Sequence, residues 1–356
     1  MLYKKIVVKV GSNVLTQADG LPDLPRMKNL VQQIAYLKKQ NVAVILVSSG
    51  AVAFGRSILQ ASEKNDTIAQ RQLFSSVGQV KLMQKYSELF AEQGLTCAQV
   101  LVTKEDFRDR RHYLNMKNCL DTLLQNNIVP IINENDVISI TELMFTDNDE
   151  LAGLLTSMMN VEALFILTNV NGIYNGNPKD PQSRLIPVID NHILDFESFI
   201  SAEKSNFGRG GMVTKSNIAK RVAKLGIAVH IVNGKTDFIL TETMQGKSHG
   251  TFFKPHKESS SIKKWLAHAD GFVKGVVYIN EGAKQALFES KANSLLLVGI
   301  IKIEGQFDKG DILKIVDEKG TLLGLGISQY DDEKAIERMG WKNQKPLIHY
   351  DYLFLY

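Results

Sequence analysis

Cysteine is nearly absent from this chain, with Cys97 and Cys119 the only two among 356 residues. Two cysteines at this separation fit no metal-ligand spacing, and the seven histidines form no H-x-x-x-H pair. Neither a disulfide-framed secreted module nor a zinc site is expected. Long hydrophobic runs are also missing: none approaches the roughly 20 residues that cross a bilayer. The chain enters a strand pattern at Lys5 without the apolar core and cleavage site of a signal peptide. A cytoplasmic protein with no membrane partner is the expectation. Charge of one sign is lacking too. The 42 Lys and Arg against 38 Asp and Glu leave a formal charge of +4, too little at this length to draw the whole chain to polyanions. Small acidic substrates stay open.

What is present is 44% hydrophobic residues, enough to fill the core of one large domain and a smaller one. Short β-branched runs alternate with helical patterns. "IVVKV" (6–10) precedes a helix in which Met27, Leu30, Val31, Ile34 and Leu37 recur at helical spacing, and "VAVILV" (42–47) follows. The rhythm continues through helices near 69–93, 112–126, 148–160 and 212–225, and strands at "AQVLV" (98–102), "IVPII" (128–132), "ALFIL" (163–167) and "AVHIV" (228–232). Strands apolar on both faces, separated by amphipathic helices, predict an α/β domain with a mainly parallel sheet sandwiched by helices. This domain is placed at 1–256. The polar "KESSSIKKW" marks a linker over 257–270. Short strands divided by glycines and charged turns then predict a small β-rich domain over 271–356.

In a parallel α/β sheet, ligands bind beyond the carboxyl ends of the strands. The unusual residues gather there: Lys9-Val10-Gly11-Ser12, Ser48-Ser49-Gly50-Ala51, "NEND" (133–136), "TDND" (146–149) and "GRGGMVTK" (208–215). Glycines at helix starts admit an anion to the backbone amides, so Gly208, Gly210 and Gly211 with Thr214 and Lys215 read as a phosphate cradle. It is not a Walker loop, because G-x-x-x-x-G-K-[ST] is absent, and G-x-G-G by itself also serves ordinary turns. Lys9 at a strand end is placed to reach the same phosphates, although an isolated lysine there would also suit a snorkelling edge residue. Two lysines aimed at one anion repel each other, and an acid between them would orient both. Asp149 is placed for that, while aspartate in a first helical turn also answers the helix dipole.

The segments "VVKVGSNVLT", "ILVSSGAVAFGR", "VPIINENDVIS", "TDNDELAGL", "LTNVNGIY" and "GRGGMVTK" follow one another in the order and spacing of the glutamate 5-kinase family, within the amino acid kinase fold. The tail, from "INEGAKQAL" through "GIIKIEGQFDKGDILKI" to "GLGISQY", resembles the PUA domain that many bacterial members carry. The resemblance covers nearly the whole chain. It implies ATP-dependent phosphorylation of the side-chain carboxylate of L-glutamate, the first step of proline biosynthesis. Lys9 and Lys215 match the phosphoryl-contacting lysines, with Asp149 as their organiser. Ser49, Asp136 and Asn148 match glutamate-binding positions. Lys9, Thr168, Asn169, Arg209, Gly210, Gly211, Met212, Val213, Thr214 and Lys215 match the nucleotide-binding segments.

Three positions depart from the family pattern: Thr146 where glycine is usual, Asn169 where aspartate is usual, and Asn280 where aspartate is common in the PUA segment. Mg²⁺ is expected to be held by nucleotide phosphates and water, without protein ligands. The resemblance further implies proline as a feedback inhibitor, glutamate 5-semialdehyde dehydrogenase as a partner, and a homo-oligomer. Two alternatives stay open. One is a kinase of the same fold with another acceptor. The other is RNA binding through the tail, which is not expected because residues 271–356 carry 11 Lys and Arg against 12 Asp and Glu, no basic excess for phosphate contacts.

Overall fold

The computed structural model describes residues 1–59, 68–107, 110–138, 147–178, 180–190, 211–256, 263, 266, 273–289 and 293–356. It divides into two compact units, Met1–Glu258 and Ser259–Tyr356. The expected linker, 257–270, lies outside the described residues apart from Lys263 and Leu266.

In the first unit, β1 (Lys5–Val10), β2 (Ala43–Ser48), β3 (Cys97–Val102), β4 (Val129–Glu134), β5 (Ala163–Thr168), β6 (Val188–Ile189), β7 (Ala228–Asn233) and β8 (Thr251–Phe253) form one sheet in the order β3-β4-β2-β1-β5-β7-β8-β6. From β3 through β7 every pairing is parallel. The central strands β1, β2, β4 and β5 are buried over nearly their whole length, so their sequences run apolar without alternation. The edge strand β3 is half-exposed. This is the mainly parallel sheet the sequence predicts, with one addition: β8 returns antiparallel to β7.

The described helices of this unit are α1 (Ser12–Leu15), α2 (Leu24–Lys39), α3 (Ala51–Leu59), α4 (Ile68–Ala91), α5 (Arg110–Gln125), α6 (Asn148–Met158), α7 (Met212–Lys224) and α8 (Ile239–Met244). In α2 the Asp23 side chain caps the first turn by accepting from the Arg26 N–H, and Pro25 fits where no N–H partner is needed. Its buried stripe is Met27, Leu30, Val31, Ile34 and Leu37, the spacing read from the sequence. Helices α3 and α4 meet through two glycines. A Cβ on Gly78 would stand 1.8 Å from the Ala51 carbonyl oxygen, and one on Gly55 would stand 2.0 Å from that of Phe74.

His230 of β7 is buried between the rings of Phe165 and Phe252, with centroids 4.8 Å away on each side. Burial lowers its pKa to about 4. The Tyr3 hydroxyl, raised to about 12 by burial and then by the charge of Glu162, shares a hydrogen bond of 2.9 Å with His230 Nε2. With its pKa lowered to about 4, the imidazole is neutral at pH 7.

The second unit is a five-stranded sheet, β10-β9-β11-β12-β13, made of β9 (Val273–Ile279), β10 (Ile300–Gly305), β11 (Ile312–Val316), β12 (Leu322–Ile327) and β13 (Leu353–Leu355), with α9 (Glu281–Glu289) and α10 (Asp332–Glu337). Its core includes Val277, Leu313, Ile315 and Ile348, each fully buried. Asn280 Oδ1 accepts from the Ala283 N–H at 2.8 Å at the start of α9. That is a capping job asparagine does as well as aspartate, so the departure at Asn280 leaves this helix start intact.

Candidate active site

Strand β1 runs between β2 and β5, and its residue Lys9 pairs in register with Val47 and Ile166. Its side chain rises on the sheet face that α6 covers. The first turn of α6 is capped by Asp147, whose Oδ1 accepts from the N–H groups of Asp149 and Glu150. That cap aims the Asp149 carboxylate at the strand end. Lys9 Nζ lies 2.7 Å from Asp149 Oδ1, and Lys215 Nζ, from the first turn of α7, lies 2.9 Å from Oδ2. Each carboxylate oxygen holds one ammonium, and Asp149 is fully buried.

Burial pushes the Asp149 carboxyl up, but the charges of Lys9 and Lys215 outweigh it and the net shift is down. Asp147 goes the other way. Burial, then the charge of Asp149, raises it to about 6. Two ammonium groups against one buried carboxylate leave the triad one net positive charge, an arrangement suited to stabilising negative charge that builds up on a group brought against it.

On the β2 and β4 side of Lys9, hydrogen bonds run from helix to helix. Gln79 Oε1 of α4 accepts from Asn133 Nδ2 at 3.1 Å, Asn133 Oδ1 accepts from Asn148 Nδ2 at 3.0 Å, and Asn148 Nδ2 also donates to Ser49 Oγ at 2.8 Å. These bonds fix the amide of Asn148, whose Oδ1 is buried without a hydrogen-bond partner among the described residues. Gly50, at φ +114, takes the chain from Ser49 into α3 by a turn that a side chain would strain. Asp136 follows β4 and meets Arg71 of α4.

On the opposite side, Thr168 ends β5 and its carbonyl accepts from the Gly234 N–H at 2.7 Å. Thr168 Oγ1 lies 3.4 Å from Asn169 Oδ1. Gly211 is the N-cap of α7, and Met212, Val213, Thr214 and Lys215 form its first turn. The structure thus brings Lys9, Asp149, Lys215, Ser49 and Asn148 into direct contact as one chain of neighbours. Asp136 follows β4, and Thr168 and Asn169 end and follow β5, at the same edge of the sheet with β2 and β1 between them. Arg209, Gly210 and the Thr146 departure lie outside the described residues. Sequence reasoning gave Asn133 and Asp147 no role of their own within "NEND" and "TDND", and passed over Arg71 and Gln79. For the last two there was a signal: Arg71, Gln72, Ser75 and Gln79 put polar groups on a face of α4 whose Ser75 is buried.

Residues 4–233 match the amino acid kinase family. The chain belongs to the amino acid kinase family. Residues 275–347 of this kinase match the PUA domain. It is 53% identical over 356 residues to a glutamate 5-kinase of Bacteroides thetaiotaomicron, covering 99% of both chains. With a glutamate 5-kinase of Chlorobaculum tepidum the identity is 48% over 359 residues, covering 99% of this chain and 98% of the other. Among solved structures, a carbamate kinase from Giardia lamblia bound to AMP-PNP superposes with a TM-score of 0.52 at 20% identity, over 71% of this chain and 99% of that one. Such a likeness establishes the fold. Membership of the family makes ATP the phosphoryl donor of this kinase.

Proposed function

We propose that this chain is a glutamate 5-kinase, transferring the γ-phosphoryl group of ATP to the side-chain carboxylate of L-glutamate and giving glutamyl 5-phosphate, the first step of proline biosynthesis. The observation that carries this reading is the buried Lys9–Asp149–Lys215 triad abutting the Ser49–Asn148–Asn133 hydrogen-bond chain. A phosphoryl-facing group and an acceptor-facing group are thereby joined through successive residues of α6.

A glutamate side chain has a pKa of about 4.3, so at neutral pH it attacks phosphorus without a general base. The task left to the protein is to bring two anions into line and to stabilise the charge on the group in transfer. Lys9 and Lys215 do this, with Asp149 holding both ammonium groups in place. Asp136 and Asn148 receive the α-ammonium, and Ser49 bonds the acceptor. Thr168, Asn169 and the stretch Arg209 to Lys215 hold the nucleotide. Among the described residues no group of three or more His, Cys, Asp or Glu side chains is gathered as a metal cage. Mg²⁺ is taken to arrive on the nucleotide phosphates, where it neutralises charge.

In this reading proline competes at the glutamate site, the chain forms a homo-oligomer in the cytoplasm, and its reactive product passes to glutamate 5-semialdehyde dehydrogenase. Among the described residues no helix is long and apolar enough to cross a membrane. The deciding experiment is an acceptor screen with Mg-ATP and hydroxylamine. Glutamate should yield a trapped hydroxamate. Turnover of aspartate or acetylglutamate with none of glutamate would overturn the reading.

A further inference from the structure

The ion pair between Arg71 and Asp136 has a donor to spare. Arg71 Nη2 lies 3.1 Å from Asp136 Oδ1, with side chains 21% and 12% exposed. Arg71 Nη1 is buried and has no hydrogen-bond partner among the described residues. Burying a guanidinium N–H without an acceptor is costly, and such a group persists where something completes it. The pair is not isolated. One residue further along α4, Gln72 Nε2 donates to the Val137 carbonyl at 2.9 Å, and two turns further Gln79 holds Asn133. One face of α4 therefore spans the turn after β4 and reaches the hydrogen-bond chain that ends at Ser49. Near that chain, Asn148 Oδ1 and Asp147 Oδ2 are buried acceptors without partners among the described residues.

An unmatched cationic donor on the face of α4 that also reaches the chain holding Asn148, with unmatched acceptors at the far end of that chain, suits a zwitterion. Arg71 and Asp136 form a dipole, and the head group of an α-amino acid is a second dipole. Laid antiparallel, the carboxylate meets the guanidinium and the ammonium meets the aspartate.

We propose that Arg71 recognises the α-carboxylate of the acceptor amino acid through Nη1, while Asp136 on Nη2 and Asn148 Oδ1 take its α-ammonium. This rests on the acceptor being L-glutamate and deepens that reading. It makes Arg71 a specificity residue, remote from the phosphoryl group in transfer. An acceptor whose α-carboxylate is amidated keeps its reacting carboxylate but offers Arg71 no charge. The alternative is that Arg71 only braces the turn holding Asp136, in which case every acceptor depends on it equally.

The test compares L-glutamate with its α-amide, isoglutamine, in the full-length wild type and in Arg71→Gln, with kcat/KM read below saturation. Arg71→Gln should raise KM for glutamate about 10- to 100-fold with kcat within a few fold, the pattern of lost uniform binding. Its kcat/KM for isoglutamine should stay within about threefold of wild type. Arg71→Lys should fall between, because a point charge keeps part of the attraction and loses the planar fork. An equal proportional loss on both substrates overturns the proposal and assigns Arg71 to bracing. If Arg71→Gln does not fold, judged by ATP-dependent thermal stabilisation, Arg71→Lys carries the same comparison with the same two outcomes. A wild type that fails to phosphorylate glutamate refutes the functional reading itself. A wild type that succeeds while the variants lose both substrates alike refutes only the assignment of Arg71.

Discussion

Replacing Gly78 by alanine sets two effects of opposite sign against each other. Alanine in mid-helix gains about 1 kcal/mol of propensity over glycine, and by that rule the variant of α4 should be more stable. The crossing of α3 and α4 argues the reverse. The new Cβ would lie 1.8 Å from Ala51 O, 2.4 Å from Gly55 N and 2.9 Å from Ala51 C. All three are backbone atoms, so no side chain can rotate away. Restoring van der Waals distance requires the helices to part by about 1.5 Å. Overpacking of this kind costs about 1–3 kcal/mol and sometimes more. The separation also loosens the contacts of buried Phe54, Phe74 and Leu82. Because all the contacts are to backbone, the upper end of that cost applies, about 3 kcal/mol, and less the propensity gain the expected net is a loss of about 2 kcal/mol. With a urea slope of about 2 kcal/mol/M, the midpoint falls by about 1 M.

Far-UV circular dichroism follows the helices, which belong mainly to the first unit. Because Ser49 and Gly50 lead directly into α3, KM for glutamate should rise more than KM for ATP. A helical transition at or above the wild-type midpoint would refute the packing account and leave propensity in charge.

Lys9→Met and Lys215→Met should each lower turnover by about 10²-fold or more. The double variant should lose much less than the product of the two, since both lysines share Asp149. Single-turnover transfer at the wild-type rate in Lys9→Met would make Lys9 an ordinary strand residue. The His230 prediction concerns acid stability. Its folded pKa of about 4 lies below the unfolded value of about 6.5, so below pH 6.5 the unfolded chain takes up a proton that the folded chain refuses. Stability is therefore unaffected above pH 6.5 and lost as pH falls toward 4, by up to about 3 kcal/mol. Measured as the difference between wild type and His230→Phe, which cancels groups common to both such as Asp147, this loss should appear in urea titrations between pH 7 and 4. A difference that does not change with pH would show that the imidazole protonates within the fold.

The parts of the fold legible in the sequence are those whose cause is local. Strands β1, β4 and β5 read correctly because burial on both faces leaves an unbroken apolar run. Helix α2 read correctly because one stripe faces the sheet. Helix α3 was missed, since "AVAFGRSIL" is held by a glycine contact with residues some 20 positions away that no spacing rule reveals. The return of β8 against β7 hangs on a three-residue strand, too short for its own pattern. In the site, the meeting of Lys9, Lys215 and Asp149 was legible because a lysine at a strand end and another at a helix start, aimed at one anion, call for a counter-ion. The partner of Asp136 was not. Arg71 precedes it by 65 residues on a different element, and only the packing of α4 over the end of β4 brings the two together.

The strand order has a consequence for how such a chain changes over generations. In the proposed reading, what faces the acceptor hangs from β2, β4, α3 and α4, and what faces the nucleotide hangs from β5 and α7. Between them, among the described residues, stand Lys9 on β1 and the first turn of α6, where that reading gives Asn148 to one side and Asp149 to the other. On that reading, substitutions near Ser49, Arg71 and Asp136 touch the acceptor flank of the sheet alone, whereas a change at 148 or 149 is felt by both substrates at once.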